Sequence, residues 1–104
     1  MSDYELISPI ELQKRLDTPS QPMIIDVRED EEVAEGVIPG AIHIRMNDIP
    51  EHMHEIPKDE EVIFVCRSGG RSGRVCDYLL ANGYDKVVNM TGGMLRWTGE
   101  TVNL

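Results

Sequence analysis

The chain of 104 residues is poor in cysteine, with only two, and no apolar run approaches the roughly 20 residues that a membrane span needs. Its first residues, from Met1 to Glu5, are acidic and lack the basic and apolar regions of a secretory signal. We therefore expect a cytoplasmic protein, and in that reducing compartment no structural disulfide between Cys66 and Cys76. Two cysteines without a CxxC or HExxH spacing predict no metal site, and the sequence indicates no cofactor.

Positive charge is also scarce, because 10 lysines and arginines stand against 19 acidic residues, giving a net charge of −9. The imbalance is confined to residues 1–61, which hold 16 acids and 5 bases. Residues 62–104 hold 3 acids and 5 bases, so this part of the sequence is locally positive. An acidic protein of this kind is a poor partner for nucleic acid, whose phosphates need a basic surface.

Five short apolar segments alternate with helical patterns along the chain. They are residues 4–7, 23–27, 41–44, 62–65 and 86–89. Ser8 and Glu11 form a capping-box pattern that predicts a helix start, an irregular helix is expected over 47–56, and a short helix follows Gly92 with Trp97 in the core. The alternation predicts an α/β fold in three layers, with a mainly parallel central sheet flanked by helices, as a single domain over residues 1–104.

The most informative segment begins where the apolar run 62–65 ends at Cys66. A cysteine is nucleophilic as the thiolate, and a helix N-terminus or nearby cations lower its pKa. Both conditions are predicted here, since a helical pattern follows the loop and no acid occurs between Glu61 and Asp77. The loop and the start of the helix supply three arginines, three glycines and two serines: Arg67, Arg71, Arg74, Gly69, Gly70, Gly73, Ser68 and Ser72.

Glycines allow such a loop to curl so that successive backbone N–H groups converge on one anion. We therefore predict a small cationic cradle with the Cys66 sulfur at its floor. The alternative, an inert buried cysteine, leaves the arginines and glycines that follow unexplained. The segment is not a phosphate-binding P-loop, because no lysine precedes its serine.

Four segments resemble, in order, the sequence motifs of the rhodanese-like family. Residues 66–72 (CRSGGRS) resemble the active-site loop of its single-domain thiosulfate sulfurtransferases. Residues 24–29 (IIDVRE) are similar to the family's D-V-R segment, 36–41 (GVIPGA) to its G-H-I-P-G-A turn and 92–97 (GGMLRW) to its G-G-x-x-x-W. The sequence departs from the pattern at Val37, where histidine is common, and at Val33, where an aromatic residue is common.

The resemblance implies a rhodanese-like fold and a sulfurtransferase activity. Cys66 would be the catalytic nucleophile, taking a sulfane sulfur from thiosulfate or a related donor as a persulfide and passing it to cyanide or a thiol. The thiol acceptor could be glutathione or a thioredoxin-like protein. The residues implied in substrate binding are Arg67, Ser68, Gly69, Gly70, Arg71 and Ser72. Arg67 and Arg71 are candidates to orient the oxyanion, although one of them could instead brace the loop.

Two other functions are compatible with the same loop. Related phosphatases and arsenate reductases carry arginine one residue later after the cysteine, a position that is Ser72 here, so the shorter loop favours sulfur transfer. A sulfur-carrier or regulatory module with little turnover of its own would also retain Cys66. Kinetic measurements are needed to distinguish a carrier from an enzyme.

Four further residues have both a structural and a functional interpretation. Asp26 lies near the end of a predicted buried strand and Arg28 follows it, and an ion pair or cap that holds the turn is favoured over a role in the site. His43 could pair with Cys66, but the arginines and backbone amides suffice to activate the thiol. Cys76 belongs to an apolar helical stripe and is expected in the core rather than as a resolving thiol.

Overall fold

The computed structural model describes residues 3–104, which form five strands, four α-helices and three short 3₁₀ segments. The strands are β1 (Glu5–Ile7), β2 (Met23–Asp26), β3 (Ile42–His43), β4 (Val62–Val65) and β5 (Val87–Met90). The α-helices are α1 (Pro9–Leu16), α2 (Asp30–Val33), α3 (Ile49–His52) and α4 (Gly70–Ala81). The 3₁₀ segments are Met46–Asp48, Met53–Glu55 and Gly93–Arg96. No helix within residues 3–104 combines the length and the apolar character needed to cross a membrane.

Helix α1 begins at the predicted capping box. The Glu11 backbone N–H donates to the Ser8 hydroxyl at 3.1 Å, and the Ser8 backbone N–H donates to the Glu11 carboxylate at 3.1 Å. Pro9 occupies the first turn, where a missing N–H costs nothing. This reciprocal pair satisfies two backbone donors and sets the point at which the chain leaves β1.

The five strands form one sheet in the order β1-β5-β4-β2-β3, and every neighbouring pair is parallel. Strand β4 is central, with Phe64 opposite Asn89 of β5 on one side and opposite Ile25 of β2 on the other. The next residue of β4, Val65, lies opposite Asp26. The carboxyl ends of β5, β4 and β2 therefore meet at one edge, where parallel sheets place their ligand sites.

Each face of the sheet is covered by its own apolar core. One core joins Phe64 and Val87 to side chains of α3 and α4 such as Ile49, Val75 and Leu79. The other joins the alternate strand residues, including Ile63, to Leu12 of α1 and Val33 of α2. Helices on both faces of a parallel sheet confirm the predicted three-layer α/β fold.

Several elements are shorter or less regular than the sequence predicted. Strand β3 pairs with β2 through only two residues at one edge of the sheet, where Ile42 is 43% exposed. The irregular helix expected over 47–56 is split into α3 and two 3₁₀ turns. Trp97 is half-buried against the second core, and its indole N–H donates to the Glu100 carbonyl at 3.0 Å. Val37 is buried and forms a two-bond antiparallel bridge with Val102.

Candidate active site

Cys66 is the first residue after the central strand β4, and α4 begins four residues later. Gly69 occupies the N-cap position of α4 with φ +101°, a left-handed conformation that glycine adopts without a steric penalty. The turn brings the thiol back toward the first backbone N–H groups of the helix. Residues 66–72, called the Cys66 loop below, therefore combine a sulfur atom with a helix N-terminus, as the sequence predicted.

Two hydrogen bonds reach the Cys66 sulfur within this loop. The Gly69 backbone N–H donates at 3.0 Å, and the Ser72 hydroxyl lies within donating distance at 3.3 Å. Burial acts to raise the pKa of the thiol, but hydrogen bonding by the Ser72 hydroxyl and by the backbone amides of Ser72, Gly69 and Ser68 outweighs it. The pKa of Cys66 is therefore lowered from its ordinary value.

Asn89 of β5 lies beneath the loop and contacts two of its residues. The Ser72 hydroxyl is 2.5 Å from Asn89 Oδ1, and Asn89 Nδ2 donates to the Gly69 carbonyl at 3.0 Å. Asn89 is 5% exposed and Ser72 is fully buried. The sequence predicts Asn89 only as a strand residue, and the one signal of a further role is an amide within the otherwise apolar run Val87–Met90.

The turn at Gly92 and Gly93, which the sequence identifies as part of a family motif, also contacts the Cys66 loop, and the sequence did not predict that contact. The backbone N–H of Met94 donates to the Cys66 carbonyl at 2.9 Å, and that of Leu95 donates to the Arg67 carbonyl at 3.0 Å. These contacts require Gly93 to lie directly on the Cys66–Arg67 peptide, and its φ is +60°. A Cβ atom at Gly93 would be 2.4 Å from the Arg67 carbonyl carbon and oxygen.

Replacement of Gly93 by alanine is expected to lower the free energy of unfolding by about 2–4 kcal/mol, since it adds left-handed strain and a backbone clash. Gly70→Ala is the matched control within the same loop, because a Cβ there meets nothing within 4 Å. Urea unfolding of both variants measures the difference. Equal stability of the two variants would contradict the close contact between Gly93 and the Cys66–Arg67 peptide.

The arginines of the loop do not act alike. Arg71 is bound by Glu32 of α2 through two bonds, of 2.7 and 2.8 Å, which make it a brace between α2 and α4. The same contact lowers the pKa of Glu32 to about 2. Arg67 is exposed, and no carboxylate among residues 3–104 lies within ion-pairing distance of its guanidinium. Arg67 is therefore the loop arginine available to an anion in solution, together with the exposed Arg74 of α4.

The other candidate residues make contacts that support the fold rather than the Cys66 loop. Arg28 donates to both carboxylate oxygens of Asp26, with the shortest bond at 2.8 Å, and also to the Gly36 carbonyl at 2.8 Å. His43 lies on β3, two strands from β4, and its Nε2 atom is 2.7 Å from the Arg28 carbonyl oxygen. Cys76 is fully buried in the core, and burial raises its pKa to about 12.

The predicted site residues thus fall into two groups, apart from Gly70, which is exposed at the start of α4. Ser68, Gly69 and Ser72 gather around the Cys66 sulfur through backbone amides or a hydroxyl. Arg67 and Arg71 point their charges elsewhere, one toward solvent and one toward Glu32. The arrangement can stabilise a small negative charge on or beside the Cys66 sulfur. It places that sulfur at the N-terminus of α4, where the helix dipole favours anions.

Comparisons with known proteins agree with this geometry. The family model of the rhodanese-like domain matches residues 8–100. YtwF of Bacillus subtilis is 55% identical over 91% of this chain and 91% of its own length. Thiosulfate sulfurtransferase GlpE of Tolumonas auensis is 30% identical over 93% of this chain and 91% of its own.

The fold is also similar to that of a solved rhodanese-like structure. The crystal structure of a rhodanese-like domain protein from Staphylococcus aureus is 40% identical, with a TM-score of 0.90 over 96% of this chain and 98% of that chain. These matches confirm the resemblance predicted from the four sequence motifs. The chain therefore belongs to the rhodanese-like domain family, whose members include proteins named as sulfurtransferases.

Proposed function

We propose that the protein is a thiosulfate sulfurtransferase that carries sulfur as a persulfide on Cys66. The observation that supports this most directly is the pair of donors at the sulfur, the Gly69 N–H at 3.0 Å and the Ser72 hydroxyl at 3.3 Å. They favour the thiolate over the thiol, and the thiolate is the form that attacks sulfur. The name of the GlpE relative supports thiosulfate as the donor.

In the first step, the Cys66 thiolate attacks the terminal sulfur of thiosulfate. A new S–S bond forms to Cys66, the original S–S bond breaks, and sulfite leaves with its electron pair. The product is a persulfide anion, which the loop amides and the α4 N-terminus stabilise in the way that they stabilise the thiolate. Arg67, which is exposed and unpaired among the described residues, attracts the donor dianion to the loop.

In the second step, a thiophilic acceptor takes the outer sulfur and the Cys66 thiolate is restored. Cyanide gives thiocyanate, and a thiolate gives a new persulfide on the acceptor. Glutathione and a thioredoxin-like protein are the acceptors we propose for the cell. Both cysteines of the chain are free, and the cycle needs a reducing compartment such as the cytoplasm to keep them so.

A phosphatase or arsenate reductase reaction is a weaker proposal. A tetrahedral oxyanion needs an arginine that faces it from the loop, and Arg71 is held by Glu32 in a bidentate ion pair instead. A sulfur carrier shares the first step with the enzyme and differs only in its acceptor. The acceptor experiment below separates the two.

The direct test is the intact mass of the reduced protein after brief incubation with thiosulfate. We expect a gain of one sulfur atom (~32 Da) that a reductant reverses, as expected for a persulfide on a reactive thiolate. Peptide mapping should place it on Cys66, and the Cys76→Ser control should gain the same mass. Absence of any gain would contradict thiosulfate as the donor. Transfer to a protein thiol but not to cyanide would favour the carrier.

A further inference from the structure

We propose that Asn89 is a positioning residue, whose side chain holds the Ser72 hydroxyl and the Gly69 peptide against the Cys66 sulfur. The amide oxygen of Asn89 contacts the Ser72 hydroxyl, and its amide nitrogen contacts the Gly69 carbonyl. These are the two residues whose hydroxyl and backbone N–H reach the Cys66 sulfur. The inference concerns the thiolate and needs no sulfur transfer, so it can be tested whether or not the proposed function is correct.

The orientation of the Asn89 amide follows from its partners. The Gly69 carbonyl oxygen can only accept a hydrogen bond, so the atom that faces it at 3.0 Å must be the amide nitrogen. The amide oxygen then faces Ser72 and can only accept from the hydroxyl, at 2.5 Å. Asn89 therefore fixes both the serine oxygen and the left-handed glycine peptide with complementary groups.

These contacts set the positions of the two hydrogen-bond donors to the Cys66 sulfur. Ser72 lies on the first turn of α4, and the same conformation of its side chain places the oxygen 3.3 Å from Cys66 Sγ and 2.5 Å from Asn89 Oδ1. The Gly69 N–H points at the sulfur because the peptide that follows it is held by Asn89 Nδ2 at the Gly69 carbonyl. The contact between Ser72 and Asn89 is shielded from bulk water, since Asn89, Ser72 and Cys66 are each at most 5% exposed.

The Ser72 hydroxyl has one proton, so it can donate a hydrogen bond either to Asn89 Oδ1 or to the Cys66 sulfur. While Cys66 is protonated, the proton lies toward Asn89 Oδ1, the nearer acceptor. When Cys66 ionises, rotation of the hydroxyl brings the proton to the thiolate without movement of a heavier atom. Asn89 thus keeps the donor in place in the protonated state, ready for the charge that develops on sulfur.

The test is the pH dependence of Cys66 alkylation by iodoacetamide in wild type and in Asn89→Leu, which has similar volume and no polar group. Peptide mapping separates alkylation of Cys66 from that of Cys76, whose pKa is raised by burial to about 12. Loss of about one well-placed bond to a thiolate should raise the apparent pKa of Cys66 by roughly one unit. Asn89→Ala should shift it in the same direction and serves if the leucine variant does not fold.

A double-mutant cycle shows whether Asn89 acts through Ser72. Asn89→Leu is expected to raise the pKa less in a Ser72→Ala background than in wild type, since one of its two contacts is already gone. Tyr84→Phe is the matched control, because it removes a hydrogen bond of 2.8 Å to the Met53 carbonyl in the same core. That variant should lose stability and leave the pKa of Cys66 unchanged.

Three outcomes would overturn the proposal. They are an unchanged pKa in both Asn89 variants, strictly additive effects of Ser72→Ala and Asn89→Leu, and a lowered pKa. The last result would mean that Asn89 only competes with sulfur for the serine proton. A mass gain with thiosulfate tests the proposed function separately, because a persulfide can form on Cys66 at high pH even where the pKa is raised.

Discussion

The Cys66→Ser protein is expected to transfer sulfur from thiosulfate to cyanide at least about a thousandfold more slowly than wild type, as for loss of any nucleophile that forms a covalent intermediate. A serine hydroxyl is almost entirely protonated at neutral pH and forms no persulfide. The hydrogen bonds of Gly69 and Ser72 then surround an oxygen that cannot accept sulfur. Thiocyanate formation under saturating thiosulfate measures the effect.

The fold of that variant should be retained, because oxygen replaces sulfur without adding volume and still accepts the Gly69 N–H. We expect a change in the free energy of unfolding of about 1 kcal/mol, typical of a conservative core substitution. Cys76→Ser is the control: it is buried among apolar groups of α4, so it should lose stability and keep full turnover. Wild-type turnover by a folded Cys66→Ser protein would disprove the role of Cys66.

Replacement of Arg28 by methionine is expected to lower the free energy of unfolding by about 3–5 kcal/mol, because it leaves a buried carboxylate without its counterion. Asp26 is 1% exposed and accepts three of its hydrogen bonds from the Arg28 side chain. The change also removes the donor to the Gly36 carbonyl, which fixes the turn after α2. Denaturant unfolding at neutral pH gives the value.

The control for this prediction is Arg45→Met, which breaks an ion pair of 3.0 Å with Asp48 on a side chain that is 43% exposed. Solvent screens that pair, so a loss of at most about 1 kcal/mol is expected. The double variant Asp26→Asn with Arg28→Met should recover part of the loss, since no charge is then left buried. Similar losses for Arg28→Met and Arg45→Met would show that burial does not set the strength of the Asp26–Arg28 pair.

The parts of the fold that the sequence predicted depend on local signals. The Ser8–Glu11 capping box lies within four residues, and the apolar run Val62–Val65 has the composition of a strand buried on both faces. The switch from that run to a loop of small residues gave the position of Cys66. Strand β3 is shorter than the predicted strand 41–44, since only Ile42 and His43 pair with β2.

The parts of the site that could not be predicted depend on contacts between distant residues. Gly93 lies on the Cys66–Arg67 peptide, and Asn89 lies under Ser72, only because β5 is the neighbour of β4. Which arginine braces the loop was left open, and it is decided by Glu32 of α2, which binds Arg71. No pattern near Cys66 specifies these partners, so they follow from the topology rather than from the motif.

Strand β1 has β5 as its only neighbour, although the two are separated by almost the whole chain. During synthesis on the ribosome, β1 is made before β5 and cannot form this pairing until β5 has emerged. Contacts so distant in sequence slow folding, since the closure of a long loop precedes any gain from pairing. The Gly92–Gly93 turn also follows β5, so a nascent chain presents Cys66 before Asn89 and this turn can contact its loop. The Cys66 loop therefore gains its contacts with Asn89 and Gly93 only after β5 has joined the sheet.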